Sequence, residues 1–311
     1  MNNVLVIGAT GGTGTAVTQE LIRSGVKTTV FGRSAQRLQS AFPKTPYVVG
    51  DAFQTDALIA AIQTSGADTI FQCAAIPYHQ TVARQLPLGR AVMDAALATH
   101  TRVAFIDGIY AYGDVNGQAD EATDLRTVSR KGIVKKRLSE LLFSPRYQSI
   151  PKILFRLPDY YGPSARQASY LGGTLMSIAQ HQLAFYIGAK TKRREYVYLP
   201  DAAKMMVTIA AAATSFDQVW NVPGQVITGQ QLMKLDRCVA QSHAPVLTMT
   251  KPLIRVVGWL NPDVAEIKEM YYLTQHPIYL SHQKYRDTFG KVVATPFKVG
   301  LRATLTAYQK K

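Results

Sequence analysis

The first chemical signal lies near the amino terminus, where Gly8, Ala9, Thr10, Gly11, Gly12, Thr13 and Gly14 follow directly on an apolar run at 4–7. Glycines so placed let a chain turn tightly from strand to helix, and let backbone amides approach a phosphate that a Cβ would hold off. The first amides of a helix lack partners within it and stand at the positive end of its dipole, which suits a pyrophosphate. A lone glycine pattern is weak, but this one sits between a strand and a helix, inside a βαβ unit. The expected cofactor contacts are therefore Gly8, Thr10, Gly11, Gly12, Thr13 and Gly14.

The second signal is a missing acid. A site for NAD(H) usually ends its second strand in Asp or Glu, which binds the ribose 2′-hydroxyl. Between Glu20 and Asp51 this chain has neither. Gly32, Arg33 and Ser34 follow the second strand instead, and Arg37 comes a helical turn later. Arginine grips a 2′-phosphate through charge-assisted hydrogen bonds, and an acid would repel it. The residues thus predict NADP(H) ahead of NAD(H), with Arg33 and Ser34 at the 2′-phosphate.

These residues need a scaffold, and the first half of the chain supplies its pattern. Short apolar runs at 4–7, 28–31, 47–49, 69–71, 102–106 and 152–155 alternate with helical stretches at 16–23, 57–62, 88–99 and a long one ending at 136–142. Right-handed crossovers between such strands give a doubly wound parallel sheet, so residues 1–162 read as a Rossmann domain. Pro158, Pro163 and Pro200 interrupt the second half. A late strand at 219–222 is expected to join the sheet, with helices at 228–240, 263–273 and 301–308. The fold class is α/β, with residues 163–311 forming mainly a smaller carboxy-terminal substrate lobe. No internal repeat and no low-complexity segment interrupts this layout.

Composition narrows the partners. A chain of 311 residues with 47% hydrophobic residues suits a soluble globular protein. Cys73 and Cys238 match no metal or redox spacing, and no metal site is expected. The opening residues lack a secretory signal, and the longest apolar stretch, 202–213, contains Lys204 and is too short to span a bilayer. A cytoplasmic protein is expected. The net charge of +15 gathers at Arg130, Lys131, Lys135, Lys136 and Arg137, and again at Lys190 and 192–194. No nucleic-acid-binding motif accompanies it, so a solvated basic surface is the simpler reading. The expected partners are a small-molecule substrate and at most a second copy of the chain in a homodimer, with neither nucleic acid nor membrane.

The spacing Gly-x-x-Gly-x-x-Gly resembles the extended and atypical short-chain dehydrogenase/reductases, the group that contains the NAD-dependent epimerase/dehydratases. Further matches run along most of the chain. Gly50 and Asp51 resemble the segment carrying the family's adenine-contacting acid, and Cys73, Ala74 and Ala75 its Asn-Ala-Ala beside the cofactor. Ala111, Tyr112 and Gly113 resemble its Val-Tyr-Gly, and Arg156 with Tyr161, Gly162 and Pro163 its Arg-x-x-x-x-Tyr-Gly-Pro. Tyr196, Asp201 and Ala202, then Gly290, residues 295–297, Gly300, Leu301, Thr304 and Leu305, follow the family's later segments. The resemblance adds Asp51, Ala74 and Ala75 to the expected cofactor contacts.

In that family a serine after the fifth strand and a Tyr-x-x-x-Lys on the next helix do the chemistry. Counting back from Tyr112, the serine position falls on Gly108, preceded by Asp107. The helix motif keeps its lysine as Lys135, which the resemblance places on the nicotinamide ribose, but Lys131 stands where tyrosine belongs. Two lysines a turn apart disfavour each other's charge, so Lys131 is a candidate acid/base or anion clamp as well as part of a basic face. Tyr112, Asp107, Tyr110, Tyr78, His79 and Tyr160 are the other groups near the expected site. The catalytic candidates are Lys135, Lys131, Tyr112 and Asp107.

For the substrate, Tyr161 and Arg194 are the expected contacts, since Arg194 matches an arginine that sugar-nucleotide epimerases place on the substrate pyrophosphate. Asp159 stands where those enzymes often have asparagine, and an unpaired carboxylate there would repel a diphosphate. Tyr170, Phe185, Tyr186 and Trp259 fit either a small carbonyl substrate or the lobe's own core. Three functions follow, in order: an NADP(H)-dependent oxidoreductase with a non-standard active site, a redox-silent NADP(H)-binding sensor or regulator, and a nucleotide-sugar epimerase or dehydratase.

Overall fold

The computed structural model describes residues 1–115, 117–166, 169–260, 262–292 and 294–309. The amino-terminal half runs β1 (Asn3–Ile7), α1 (Gly12–Arg23), β2 (Lys27–Gly32), α2 (Ala35–Ala41), β3 (Tyr47–Val49), α3 (Thr55–Ser65), β4 (Thr69–Gln72), α4 (Thr81–Thr99), β5 (Arg102–Gly108), β6 (Gly117–Ala119), α5 (Arg130–Leu142), β7 (Lys152–Leu157) and β8 (Asp159–Tyr161). It continues with α6 (Tyr170–Ala179), β9 (Ala184–Ile187), β10 (Arg193–Tyr198), α7 (Leu199–Ala211), β11 (Gln218–Asn221), β12 (Gln225–Thr228), α8 (Gly229–Ala240) and β13 (Val246–Met249). The last elements are α9 (Lys251–Val257), α10 (Pro262–Met270), β14 (Ile278–Leu280), α11 (Gln283–Phe289) and α12 (Phe297–Gln309).

Seven strands form one sheet in the order β11-β7-β5-β4-β1-β2-β3, and every pairing in it is parallel. Successive side chains of β1 separate cleanly, as a doubly covered strand requires. Val4 and Val6 pack on the face covered by α1 and α7, while Leu5 and Ile7 pack against α3 and α4 on the other. Each such fully buried aliphatic side chain contributes about 2 kcal/mol of burial free energy. The late strand expected at 219–222 is β11, which lies at the sheet edge beside β7.

The remaining strands are short and make small sheets: β12-β10-β8, β13-β9 and β14-β6. The first two, with α6, α8 and α12, enclose a second core around Tyr161, Leu175, Tyr186, Tyr196 and Leu301. Helix starts follow local rules. Ser34, Ser129 and Ser169 cap α2, α5 and α6 through their hydroxyls, and Thr228 with Gln231 forms a capping box on α8.

The sequence reading lacked β6, β8–β10, β12–β14, α2, α6, α7, α9 and α11, and it began α4 too late. Helix α4 begins at Thr81 and runs through Pro87, where the expected helix began only at 88. Pro87 donates no hydrogen bond and leaves the Ala83 carbonyl without its helical partner, a local loss the long helix absorbs. The apolar stretch 202–213 belongs to α7, which is apolar because it is sandwiched: Ala202, Met205, Met206 and Ile209 are fully buried. Among the described residues no helix is long and apolar enough to cross a membrane.

Candidate active site

Strand β1 lies between β2 and β4, so the chain reverses its winding there and leaves a crevice at the carboxyl ends of β1 and β4. Gly8 closes that crevice. Its φ of +77° suits glycine, and its N–H donates to the Phe31 carbonyl at 3.0 Å. A Cβ on Gly8 would lie 2.6 Å from the Ala74 nitrogen, and one on Gly14 would lie 2.9 Å from the Gly8 carbonyl carbon. Helix α1 therefore starts tight against the loop, with Gly11 at its N-cap and no side chain capping it. The opening amides at Gly12, Thr13 and Gly14 are left for a ligand, and the cradle fits a pyrophosphate. Ser164 donates to the Gly12 carbonyl at 2.8 Å, which fixes the loop from the lobe side.

The adenosine side is more open. Arg33 and Arg37 are both exposed beyond β2. Ser34 instead accepts the Arg37 N–H at 3.3 Å, so its hydroxyl already serves as the N-cap of α2. Asp51, half-buried, accepts the Phe53 N–H at 3.1 Å. Ala74 is half-buried with its carbonyl held by the Gln72 side chain at 3.1 Å, and Ala75 is exposed. Cys73 is buried, and burial pushes its thiol up, away from reactivity.

On α5 the two lysines part company. Lys135 forms an ion pair with Asp107, the residue before the serine position, and donates to Gln85 Oε1 at 2.8 Å. Lys131 is wholly buried and forms ion pairs with Glu266 and Glu269 of α10, the second at 3.2 Å. Glu269 also accepts the backbone N–H groups of Arg130 and Lys131, at the amino end of α5 where the dipole favours an anion. His79 joins the same contact by donating its N–H to Asp263 at 2.9 Å. Helix α10 is thus fastened across the helix position that resembles the family's tyrosine.

Around Lys131 stand Tyr78, whose ring is 4.5 Å from the ammonium, and Tyr110 and Tyr170, each packed near Tyr78. Burial raises the pKa of all three hydroxyls, which keeps them protonated. Tyr112 faces elsewhere: its hydroxyl donates to Asn221 at 2.7 Å, and Arg156 lies 4.5 Å from its ring centre.

The substrate candidates also separate. Arg194 lies within 5.8 Å of the Tyr186 and Tyr196 ring centres, donates to the Ile187 carbonyl at 3.1 Å and faces Asp159 at 3.6 Å. Asp159, Tyr170 and Arg194 border a small pocket of about 10 Å³. Burial raises the Asp159 pKa, against the opposing pull of Arg194. Tyr161 has no exposed surface and stacks on Phe297 at 5.7 Å, inside the lobe's core. Trp259, expected in a pocket wall or core, is 88% exposed after α9. It follows the helix's last turn, where only Ile254 of α9 reaches the interior.

The model of the NAD dependent epimerase/dehydratase family matches residues 4–222. The chain belongs to that family. Among curated protein sequences none matches it. Solved structures of similar fold include the UDP-glucose 4-epimerase of Thermotoga maritima with UDP-glucose, at 17% identity and a TM-score of 0.78, covering 100% of this chain and 99% of that one. The UDP-glucuronic acid 4-epimerase of Bacillus cereus with NAD is similar at 16% identity and a TM-score of 0.79, covering 99% and 98%. So is the dTDP-glucose 4,6-dehydratase of Bacillus anthracis with NAD, at 15% identity and a TM-score of 0.79, covering 100% and 97%. At these identities the likeness is one of fold.

Within this epimerase/dehydratase fold, the residues that sequence reasoning missed are Gln85, Glu266 and Glu269. The two glutamates stand three apart on α10 and so share a face, which marks a partner for some basic surface. Nothing local in the sequence links that face to Lys131, and nothing marks Gln85.

Proposed function

We propose that this protein binds NADP(H) on the 8–14 loop and interconverts a compact carbonyl compound and its alcohol by hydride transfer. The dinucleotide part draws on the Gly8–Gly14 cradle. A bound nicotinamide would supply or accept the hydride. The amides of Gly12, Thr13 and Gly14 hold the pyrophosphate, Arg33 binds the 2′-phosphate, and Lys135 holds the nicotinamide ribose. The similar structures named with NAD argue for testing both dinucleotides. Of the four catalytic candidates, the Asp107–Lys135 pair is best placed to handle a proton, since Lys131 is covered by α10 and Tyr112 is held by Asn221.

The observation that carries the substrate class is Asp159 facing Arg194 at 3.6 Å. A nucleoside diphosphate would meet a carboxylate already paired with the arginine it needs, so a compact uncharged substrate fits better. The test is a panel of aldehydes, ketones and alcohols with NADP(H) and NAD(H), followed by nicotinamide absorbance. Turnover on a compact substrate is the expected result. Cofactor binding without turnover across the panel would overturn it in favour of a redox-silent sensor.

A second reading, nucleotide-sugar epimerisation or dehydration, is favoured by the place of Arg194 on β10, aimed at the lobe cavity. Conversion of UDP-glucose to an isomer or a dehydrated product, followed by chromatography because the dinucleotide is regenerated, would establish it instead.

A further inference from the structure

The Lys135 ammonium has three N–H donors, and two protein groups engage it from different elements. Asp107 comes from the end of β5 and Gln85 from α4, and the side chains of Asp107 and Lys135 are 1% and 14% exposed. Gln85 is buried too. The two contacts hold the ammonium between β5 and α4. The first also sets an anion beside the cation, so the pair presents almost no net charge.

That matters because the two redox forms of a nicotinamide differ by one positive charge on the ring. An isolated ammonium nearby disfavours the oxidised form, whereas a neutral pair treats the two alike. We propose that Asp107 is a positioning residue that cancels the charge of Lys135, and so sets the relative affinity for oxidised and reduced cofactor, with Gln85 holding the lysine in register. The proposal rests on the dinucleotide reading above.

The experiment measures the dissociation constants of the oxidised and reduced forms by calorimetry and nicotinamide fluorescence, in the full chain. NADP⁺ and NADPH are used, and NAD⁺ and NADH if wild type prefers them. In Asp107→Asn the lysine stands unpaired, and the oxidised form weakens relative to the reduced by about tenfold. In Lys135→Met the lone carboxylate remains, and the ratio moves the opposite way. Gln85→Leu weakens both forms together and leaves the ratio unchanged. A ratio that stays at the wild-type value in both charge variants overturns the proposal. If Asp107→Asn does not fold, the direction of the Lys135→Met shift decides alone. Failure of wild type to bind any of the four dinucleotides would instead overturn the function proposed above.

Discussion

The Lys131 ammonium lies 3.2 Å from Glu269 Oε2, with its side chain wholly shielded from water. The pair joins α5, which packs on α4, to α10, which belongs to the lobe. Glu266 doubles the contact, and Arg130 extends it to the surface. Lys131 therefore serves here as a fastening between sheet and lobe.

Removing both carboxylates should leave a buried ammonium without a counterion. Glu266→Gln with Glu269→Gln is expected to lower unfolding stability by about 3–5 kcal/mol in urea titration. Lys131→Met should cost less, because the glutamates keep 23% and 18% of their side chains exposed to water. Equal stability of the double variant and wild type would show that the pair fastens nothing.

Gly14→Ala should cost both stability and cofactor. Its methyl would press into the Gly8 peptide and push the first turn of α1 off the loop. A loss of about 1–3 kcal/mol is expected, together with loss of the dinucleotide-induced thermal shift. A variant that keeps the full shift would mean that the pyrophosphate binds elsewhere.

Arg33→Asp tests the choice of dinucleotide. Loss of a charged hydrogen bond to the 2′-phosphate predicts a fall of about 10- to 100-fold in affinity for NADPH. Affinity for NADH should stay level or rise. Unchanged NADPH binding would remove Arg33 from the site.

Asp236 makes stability depend on pH. It is fully buried on α8, neither oxygen has a hydrogen-bond partner among the described residues, and burial pushes its pKa up to about 8. In the unfolded chain the carboxyl titrates near about 3.9. Its contribution is therefore whole below that value and is lost as pH rises toward 8. Urea titrations should show stability falling from about pH 5 to about pH 8, with the slope flattened in Asp236→Leu. An identical slope in the variant would assign the pH dependence to other groups.

The cofactor cradle was legible because it is local: strand, glycines and helix follow one another within the first turns of chain. The sheet strands were legible from their apolar runs, since the central strands are covered on both faces and bury most of their side chains. The lobe was not, because strands such as β8 and β14 are three residues long and carry too little period to read. Lys131 and Lys135 were found, but their surroundings were not. Glu269 is 138 residues from Lys131 and Gln85 is 50 from Lys135, and no local pattern encodes such pairings. The position of Arg194 was legible, but its engagement by Asp159 depends on β8 lying beside β10.

Strand β11 has a consequence for how the chain comes to be made. It completes the sheet beyond β7, and α7, from the same late segment, covers the face formed by Val4, Val6 and Val30. Until those residues leave the ribosome, β7 is an unpaired sheet edge and one apolar face lies bare, a surface prone to join other chains. A truncation after residue 162 is therefore expected to aggregate, and productive folding waits for most of the polypeptide to be synthesised.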